Sequence, residues 1–402
     1  MKPPRKVVHL TSVHSPDDTR IFRKECRTLA HAGYDVVLVV PDQCDEVRDG
    51  VQFRAVRHEG GRMKRMTRTA AAVVRRAMRE QADLYHFHDP ELLPWARILH
   101  LRGELVVFDM HENTPAAIHS RPWVPHVTRG VAALAYRMAE RRLLADIPVI
   151  FAEHSYARLY PWIAEHTTVL NLPVIADLPR PSLPRSAAPT LVYIGAISSD
   201  RGSSVSVAAI EMLRREGRDV RWECIGPVPH EEDKAQLSAA AARLGRDVIR
   251  LRGRMPQEEA FRIAGECHIG LAILQKVPNY TDSYPTKLFE YMGLGLPVVT
   301  SDFPLYRQIV EEVGCGFCVD PRDPAAIATA LRRLLDDADQ ATAMGERGRR
   351  AACERYNWTT EGRKLLSFYG QLLNAGEPWT EAAGSHDRQE DTIGEHDAPP
   401  CA

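Results

Sequence analysis

The stretch that decides the fold is residues 7–40, VVHLTSVHSPDDTRIFRKECRTLAHAGYDVVLVV. Val7–Val13 is rich in β-branched residues and predicts a strand, and Val36–Val40 predicts the next one. Between them, Thr19–Ala32 has a helical period and ends at Gly33, as a helix commonly does. The apolar face of this helix carries Phe22, Cys26 and Leu29, and the polar face carries Arg20, Arg23, Lys24 and Arg27. A strand, a helix and a strand in this order predict a βαβ unit with a parallel sheet.

The same alternation continues along the chain on both sides of a proline-rich linker at 171–189. Before the linker, the further predicted strands are Leu84–His88, Leu105–Asp109 and Val149–Phe151, and the helices are 63–80, 91–101 and 126–145. After it, the strands are Leu191–Gly195, Trp222–Gly226, Val248–Leu251, Ile269–Leu274, Pro297–Thr300 and Phe317–Val319. The later helices are 203–216, 231–244, 256–265, 286–293, 304–312, 324–336, 339–351 and 358–373.

This pattern predicts an α/β chain of two doubly wound, Rossmann-like domains that face a cleft, with ligands at the carboxyl ends of the strands. We place the first domain at 1–175 and the second at 185–355. A last helix at 356–374 is expected to return toward the first domain. Residues 375–402 are acidic, carry Gly and Pro, and lack an apolar period, so we expect a disordered tail.

Charge and composition exclude several classes of protein. Hydrophobic residues are 44% and charged residues 26%, which is ordinary for a globular chain. The net charge is −1, but the tail holds seven acids and one base, so the rest of the chain carries +5. This mild excess of base is too weak to indicate nucleic-acid binding.

The chain opens without a secretory signal, and no apolar run reaches the ~18 residues of a spanning helix. Its eight cysteines form no disulfide framework, so we expect a soluble, cytoplasmic protein. Asp337 and Asp339 form a DxD pair of the kind some metal-dependent transferases use, but they lie at the end of a polar helix and indicate a solvated surface. We therefore expect no metal and no cofactor.

The densest group of chemically useful residues is 279–302, NYTDSYPTKLFEYMGLGLPVVTSD. A polar loop leads into a helix that begins near Pro285 or Thr286, and the unpaired N–H groups of its first turn suit a diphosphate. Lys287 opposes the helix dipole there, which indicates a functional use. Glu290 lies one turn further on and can accept hydrogen bonds from sugar hydroxyls. A capped helix with an i,i+3 Lys–Glu pair is the competing interpretation.

This segment resembles the donor-binding motif of family 4 glycosyltransferases, which have the GT-B fold and retain the configuration of the transferred sugar. The motif is Glu-x7-Glu followed by a Gly/Pro turn and a buried strand. Glu290 is the second acid, and Asp282 stands in the place of the first, one methylene shorter. The resemblance implies that Glu290 contacts the ribose of a nucleotide sugar and that Asp282 lies near the transferred sugar.

Segments 13–25, 86–94 and 108–112 also resemble a bacterial branch of this family, and the resemblance covers roughly residues 5–374. In the family, a histidine at the position of His111 lies beside the donor sugar, which implies a catalytic role. His14, Asp18 and His88 are candidates for contacting the acceptor or ordering the loops. Such enzymes generally need no metal.

Residues 193–202, YIGAISSDRG, resemble the first strand and loop of the family's donor domain. The resemblance places Gly195 at the donor and Arg201 at one of two cation positions that hold the diphosphate. The other position falls at Ala196 and carries no cation, so we expect Lys287 to replace it, with the N–H groups near Thr286.

The sequence indicates less about the acceptor than about the donor. Residues 62–79 hold seven basic side chains, and residues 121–142 add Trp123 and five arginines, including Arg121. Such basic segments can lie on anionic lipid, although a solvated helix face in an arginine-rich protein is equally consistent. We expect a UDP-sugar, or a GDP-sugar, and a lipid-linked exopolysaccharide or envelope glycan as acceptor, with peripheral contact to the inner face of the membrane. A nucleotide-sugar epimerase of the same fold, a natural-product glycosyltransferase and a non-catalytic binding protein are the alternatives.

Overall fold

The computed structural model describes residues 3–57, 60–120, 124–180, 188–277 and 280–374. The predicted tail at 375–402, and Arg121 and Trp123 of the second basic segment, lie outside these residues. The described residues divide into two compact units, one formed by the chain up to Asn171 together with Thr359–Asn374, the other by Leu172–Trp358. The predicted α/β class with two parallel sheets is confirmed.

The first unit contains an eight-stranded sheet in the order β3-β4-β2-β1-β5-β6-β7-β8, in which only the β3–β4 pair is antiparallel. Its strands are β1 Lys6–Leu10, β2 Asp35–Pro41, β3 Glu46–Arg48, β4 Val51–Val56, β5 Leu84–Phe87, β6 Val106–Met110, β7 Val149–Phe151 and β8 His166–Thr168. Its helices are α1 Arg27–His31, α2 Arg62–Lys64, α3 Ala70–Met78, α4 Leu93–Leu101, α5 Thr114–Ser120, α6 Arg129–Leu143 and α7 His154–Leu159. Buried apolar residues of the central strands, such as Val8, Val37 and Phe87, form its core.

Three predictions for this unit are wrong in detail. The first strand ends at Leu10 instead of Val13, because the Thr11 hydroxyl accepts hydrogen bonds from the backbone N–H groups of residues 13 and 14 and turns the chain. Strands β3, β4 and β8 were not expected. Arg20 and Lys24 are buried, not on a solvated face, because a π-helical turn at Ile21–Cys26 precedes α1 and both side chains find polar partners.

The second unit contains a six-stranded, fully parallel sheet in the order β11-β10-β9-β12-β13-β14. Its strands are β9 Thr190–Ile194, β10 Arg221–Ile225, β11 Ile249–Gly253, β12 Ile269–Ala272, β13 Val298–Ser301 and β14 Gly316–Val319. Its helices are α8 Ser203–Arg215, α9 Glu231–Leu244, α10 Gln257–Gly265, α11 Thr286–Gly293, α12 Pro304–Val313, α13 Pro324–Asp336 and α14 Ala338–Glu354. This strand order reverses direction between β9 and β12, and such a switch point is where open α/β sheets bind ligands.

The last helix, α15 Trp358–Asn374, belongs to the first unit from Thr359 onward. Polar side chains of this helix contact the rest of that unit. The Glu361 carboxylate accepts a hydrogen bond from the backbone N–H of Leu170. Tyr369 is fully buried, and its hydroxyl lies 2.7 Å from His86 Nδ1. Among the described residues, no helix combines the length and the apolarity that crossing a bilayer requires.

Candidate functional site

The loop after β9 is fixed by glycines at the switch point of the second sheet. Gly195 has a φ of +123° and Gly202 a φ of +78°, a region of backbone space that glycine adopts readily. A Cβ atom at Gly202 would lie 2.3 Å from the carbonyl oxygen of Ile273, so no larger residue fits. Because Gly202 is also the N-cap residue of α8, the loop is held against the end of the sheet.

Helix α11 begins at Thr286, with Pro285 as its N-cap residue. The backbone N–H groups of its first turn have no acceptor within the helix and carry the positive end of the helix dipole. Every residue of the helix after Thr286 is buried, including two charged ones, Lys287 and Glu290. A buried lysine in the first turn of a helix is unfavourable unless an anion occupies the site.

Lys287 and Arg201 converge on Tyr193. The Lys287 ammonium donates a hydrogen bond to the Tyr193 hydroxyl at 3.1 Å and lies 4.6 Å from the centre of its ring. The Arg201 guanidinium hydrogen bonds to Tyr193 and Tyr280 and stands 5.5 Å from the Tyr280 ring. Burial, and then the charge of Arg201, lower the pKa of Lys287 to about 7, against the opposing effect of Glu290. Two neighbouring cations, of which Arg201 lowers the pKa of Lys287, form a site prepared for an anion.

The other predicted donor residues lie around this pair and differ in how deeply they are buried. Gly195 is adjacent, since a Cβ atom there would lie 3.7 Å from Lys287 Nζ. Thr286 is half-buried at the start of α11, and Glu290 lies one turn inside it. Asp282 is exposed in the turn that precedes the helix. Asp337, of the discounted DxD pair, caps α14 through a hydrogen bond from the backbone N–H of Gln340.

In the first unit, the switch point lies between β1 and β5, and the predicted histidines are found at the ends of these strands and of β6. His111 Nε2 lies 2.8 Å from Asp109 Oδ2, and His88 Nδ1 lies 3.3 Å from the same oxygen. Arg20 donates two hydrogen bonds to Asp109, both at 2.8 Å. Burial alone would raise the pKa of Asp109, but the Arg20 charge holds it well below its usual range. The ionised Asp109 therefore orients the His111 ring by accepting a hydrogen bond from its Nε2 atom.

His14 and Asp18 lie next to this group. Their side chains are 2.8 Å apart, and the His14 ring centre is 5.1 Å from that of His111. Burial opposes the charged forms, but their mutual hydrogen bond raises the pKa of His14 and lowers that of Asp18. The Asp89 carboxylate holds the loop after β1 by accepting two hydrogen bonds. One comes from the Thr11 hydroxyl at 2.9 Å, and the other from the Ser12 backbone N–H at 2.6 Å.

Beneath these loops lies a fully buried group that we call the His–Glu cluster: His9, Glu25, His86 and His88. One potential ligand atom of each lies within 4.8 Å of the others, so the four could hold a metal ion. A second trio, formed by His88, Asp109 and His111, also meets this criterion in the described part of the chain. No metal site was expected from the sequence.

Five residues of this group were not predicted as site residues from the sequence: Arg20, Glu25, His9, His86 and Asp109. The sequence does contain a signal for this group, in two pairs of polar residues spaced two apart. His86 lies on β5 and His88 directly follows it, and Asp109 lies on β6 and His111 directly follows it. Residues two apart on a strand share a face, so paired polar residues in otherwise apolar runs indicate a polar group against the sheet.

Two family models match the chain. The model described as glycosyl transferases group 1 matches residues 175–351, and the glycosyl transferase 4-like domain matches residues 19–162. Together the two matched segments cover most of the chain.

Curated relatives match over different lengths. The alpha-D-kanosaminyltransferase of Streptomyces kanamyceticus is 26% identical over 184 residues, which are 46% of this chain and 46% of that protein. The D-inositol 3-phosphate glycosyltransferase of Corynebacterium kroppenstedtii is 26% identical, over 47% of this chain and 42% of its own length. The phosphatidyl-myo-inositol mannosyltransferase of Mycobacterium leprae is 25% identical over 73% of this chain and 75% of its own. The chain thus spans about half the length of the first two relatives.

Solved structures share the fold. Sucrose-phosphate synthase from Thermosynechococcus elongatus has a TM-score of 0.73 at 18% identity, covering 92% of this chain and 100% of that one. Anabaena HepE, crystallised in complex with UDP-glucose, has a TM-score of 0.68 at 13% identity, covering 91% and 99%. These neighbours are GT-B glycosyltransferases, so the predicted GT-B fold is confirmed.

Proposed function

Because the chain belongs to the family 4 glycosyltransferases of GT-B fold, we propose that it transfers a sugar from a nucleotide-sugar donor to an acceptor and retains the anomeric configuration. The observation that carries this proposal is the cation pair formed by Lys287, in the first turn of α11, and Arg201, in the loop after β9. A nucleoside diphosphate is both the anion that such a site suits and the leaving group of the reaction.

In this proposal, the diphosphate lies between the two cations and the first-turn N–H groups near Thr286. Charge develops on the leaving diphosphate as the bond to the sugar breaks, and fixed cations stabilise that charge most in the transition state. Glu290 accepts hydrogen bonds from the ribose hydroxyls. Asp282 acts at the transferred sugar. In the first unit, His111 is the proposed catalytic histidine, and Asp109 holds it in one orientation.

Donor binding and turnover test this proposal together. The purified chain is titrated by calorimetry with UDP-, GDP-, ADP- and dTDP-sugars, alongside Glu290→Ala and a Glu231→Ala control at the exposed start of α9. We expect one nucleotide class, with UDP favoured, to bind wild type and control and to lose most affinity in Glu290→Ala. Tight binding without transfer would support a non-catalytic protein, and turnover of the donor without any acceptor would support an epimerase.

We further propose that the acceptor is lipid-linked and reaches the first unit from a membrane surface. The supporting observation is an exposed apolar stripe along α6 and the turn before it, formed by Val127, Val131, Leu134 and Met138. Spacings of three and four residues place these side chains on one helix face, and each is more than half exposed. Arginines of the same helix, such as Arg137 and Arg141, suit anionic headgroups.

A cavity of about 390 Å³ adjoins this stripe and is lined by Leu134 of the stripe and by the neighbouring Arg137. Asn113, His119 and Tyr160 contribute polar groups to its wall. This combination of exposed apolar side chains with polar groups in the cavity wall suits a lipid-linked sugar. The other basic segment, 62–79, is a weaker candidate because Arg65 pairs with Glu91 and Arg76 with Asp45.

Vesicle sedimentation tests the membrane proposal. The chain should sediment with vesicles containing anionic phospholipid and much less with purely zwitterionic ones. A double variant, Val131→Glu with Leu134→Glu, should abolish sedimentation, whereas Leu101→Glu, at an exposed leucine that ends α4, should not. Equal sedimentation of all three proteins would contradict the assignment to α6.

A further inference from the structure

We propose that the first unit binds one Zn²⁺ ion in the His–Glu cluster, as a structural site separate from the glycosyl transfer. The cluster joins β1, the π-helical turn before α1, and β5 with the residue that follows it. All four side chains are fully buried in the apolar body of the unit. Three imidazoles and one carboxylate are a donor set that zinc commonly takes.

The spacing of the donor atoms fits one small ion. His9 Nδ1 lies 2.9 Å from His88 Nε2, and these two atoms lie 4.0 and 3.9 Å from Glu25 Oε2. A tetrahedral ion with bonds of about 2.0–2.1 Å needs ligand atoms roughly 3.3 Å apart. The observed distances straddle that value, so side-chain movements of about 1 Å suffice to bring the ligands onto the ion.

The second nitrogen of each histidine already has an oxygen atom within reach as a partner. His86 Nδ1 and His9 Nε2 lie 2.7 and 3.3 Å from the Tyr369 hydroxyl. His88 Nδ1 lies 3.3 Å from Asp109 Oδ2. An oxygen on the far side of a ligating imidazole fixes its tautomer and turns the other nitrogen toward the ion. Here that arrangement is complete for all three rings.

Of the ligand atoms that face the centre, His9 Nδ1 and His88 Nε2 lie within hydrogen-bond distance of each other, and the others have no partner. Both carboxylate oxygens of Glu25 and the Nε2 atom of His86 are buried, and none has a hydrogen-bond partner among the described residues. Arg20 Nε stands 3.1 Å from Glu25 Oε1, but it already donates to Asp109. Buried polar atoms without partners are rare and costly, and a cation bound between them would satisfy all three.

The trio of His88, Asp109 and His111 is a poorer zinc site. Arg20 occupies both oxygens of Asp109 with hydrogen bonds at 2.8 Å, so a metal there would have to displace a guanidinium. In the His–Glu cluster, the ion would instead replace only the hydrogen bond between His9 and His88. Zinc would then link the first strands of the sheet to α15 through Tyr369.

Metal analysis of the full-length chain without a polyhistidine tag tests the proposal. The protein is loaded with excess Zn²⁺, passed over a desalting column, and analysed by inductively coupled plasma mass spectrometry. We expect about one zinc per chain, retained by wild type and by His31→Gln, whose histidine is exposed in the same unit. Glu25→Gln and His86→Gln should each weaken zinc binding by at least ~100-fold.

Cobalt gives a second readout that does not depend on any variant. Co²⁺ in the cluster should show the strong visible absorption of a four-coordinate site, and excess Zn²⁺ should remove it. Wild type that retains no zinc, cobalt with only weak octahedral absorption, or equal retention by all variants would each overturn the proposal. A chain that is folded and metal-free after loading would assign the cluster to a hydrogen-bonded network with a protonated Glu25.

Discussion

Replacing Lys287 with methionine should make the protein more stable while abolishing donor binding. Burial and the charge of Arg201 lower the pKa of Lys287 to about 7, whereas an unfolded lysine titrates near 10.4. Between these pH values the unfolded chain binds more protons than the folded chain, so this residue makes stability rise with pH. The cost of burying Lys287 is therefore largest at and below pH 7.

The magnitude follows from the two pKa values. At pH 7 the depressed pKa of Lys287 costs about 4 kcal/mol of unfolding free energy, and at pH 9 about 2 kcal/mol. Lys287→Met also removes the hydrogen bond to Tyr193, but that loss is similar at both pH values because burial raises the pKa of Tyr193 to about 12. The gain in unfolding free energy should thus be about 2 kcal/mol larger at pH 7 than at pH 9.

Urea unfolding at both pH values measures this difference directly. Lys276→Met, at an exposed lysine of the same unit, is the matched control and should show no such pH dependence. Calorimetry with UDP should show proton uptake on binding near pH 7–8 in wild type and in Lys276→Met, and no binding by Lys287→Met. A stability gain that is equal at pH 7 and pH 9, or one that the control reproduces, would refute the argument.

Three further changes test other parts of the structure. Gly202→Ala should destabilise by several kcal/mol because its Cβ meets a backbone oxygen at 2.3 Å, whereas Gly217→Ala, also at positive φ but with open space, should cost about 1 kcal/mol in urea unfolding. Asp18→Asn should lower the pKa of His14 in an NMR titration, because the hydrogen bond to Asp18 raises that pKa in wild type; an unchanged value would contradict the pairing. Leu134→Glu alone should weaken binding to anionic vesicles at least severalfold, since it places a charge in the apolar stripe.

The second unit could be predicted closely from the sequence. The bounds predicted for α9, α11 and α13 are the observed ones, because each segment has a regular apolar period and clear flanking residues. The edges of the first sheet could not be predicted in the same way. Strands β3 and β8 have three residues each, which is too short for a period to show.

The two sites differ in how far the sequence reveals them. Lys287 could be selected because a cation at a helix N-terminus contradicts the local preference of that position, and Arg201 because its segment resembles the family's donor loop. Arg20 and Glu25 are charged residues in a segment with a helical period, which is an ordinary place for them. The helical period alone therefore predicts that both lie on a solvated face. Their burial depends on Asp109, 89 residues away from Arg20 in sequence, and a single sequence contains no signal for that pairing.

The electrostatics of the two units therefore predict different responses to substitution. In the second unit, Lys287 hydrogen bonds to a neutral hydroxyl beside another cation, so removing its charge relieves repulsion and affects binding more than folding. In the first unit, Arg20 neutralises Asp109 in a fully buried pair, so removing either partner leaves an uncompensated charge in the core. Arg20→Met should accordingly lose activity by unfolding the first unit, whereas Lys287→Met should lose it in a protein that is more stable than wild type.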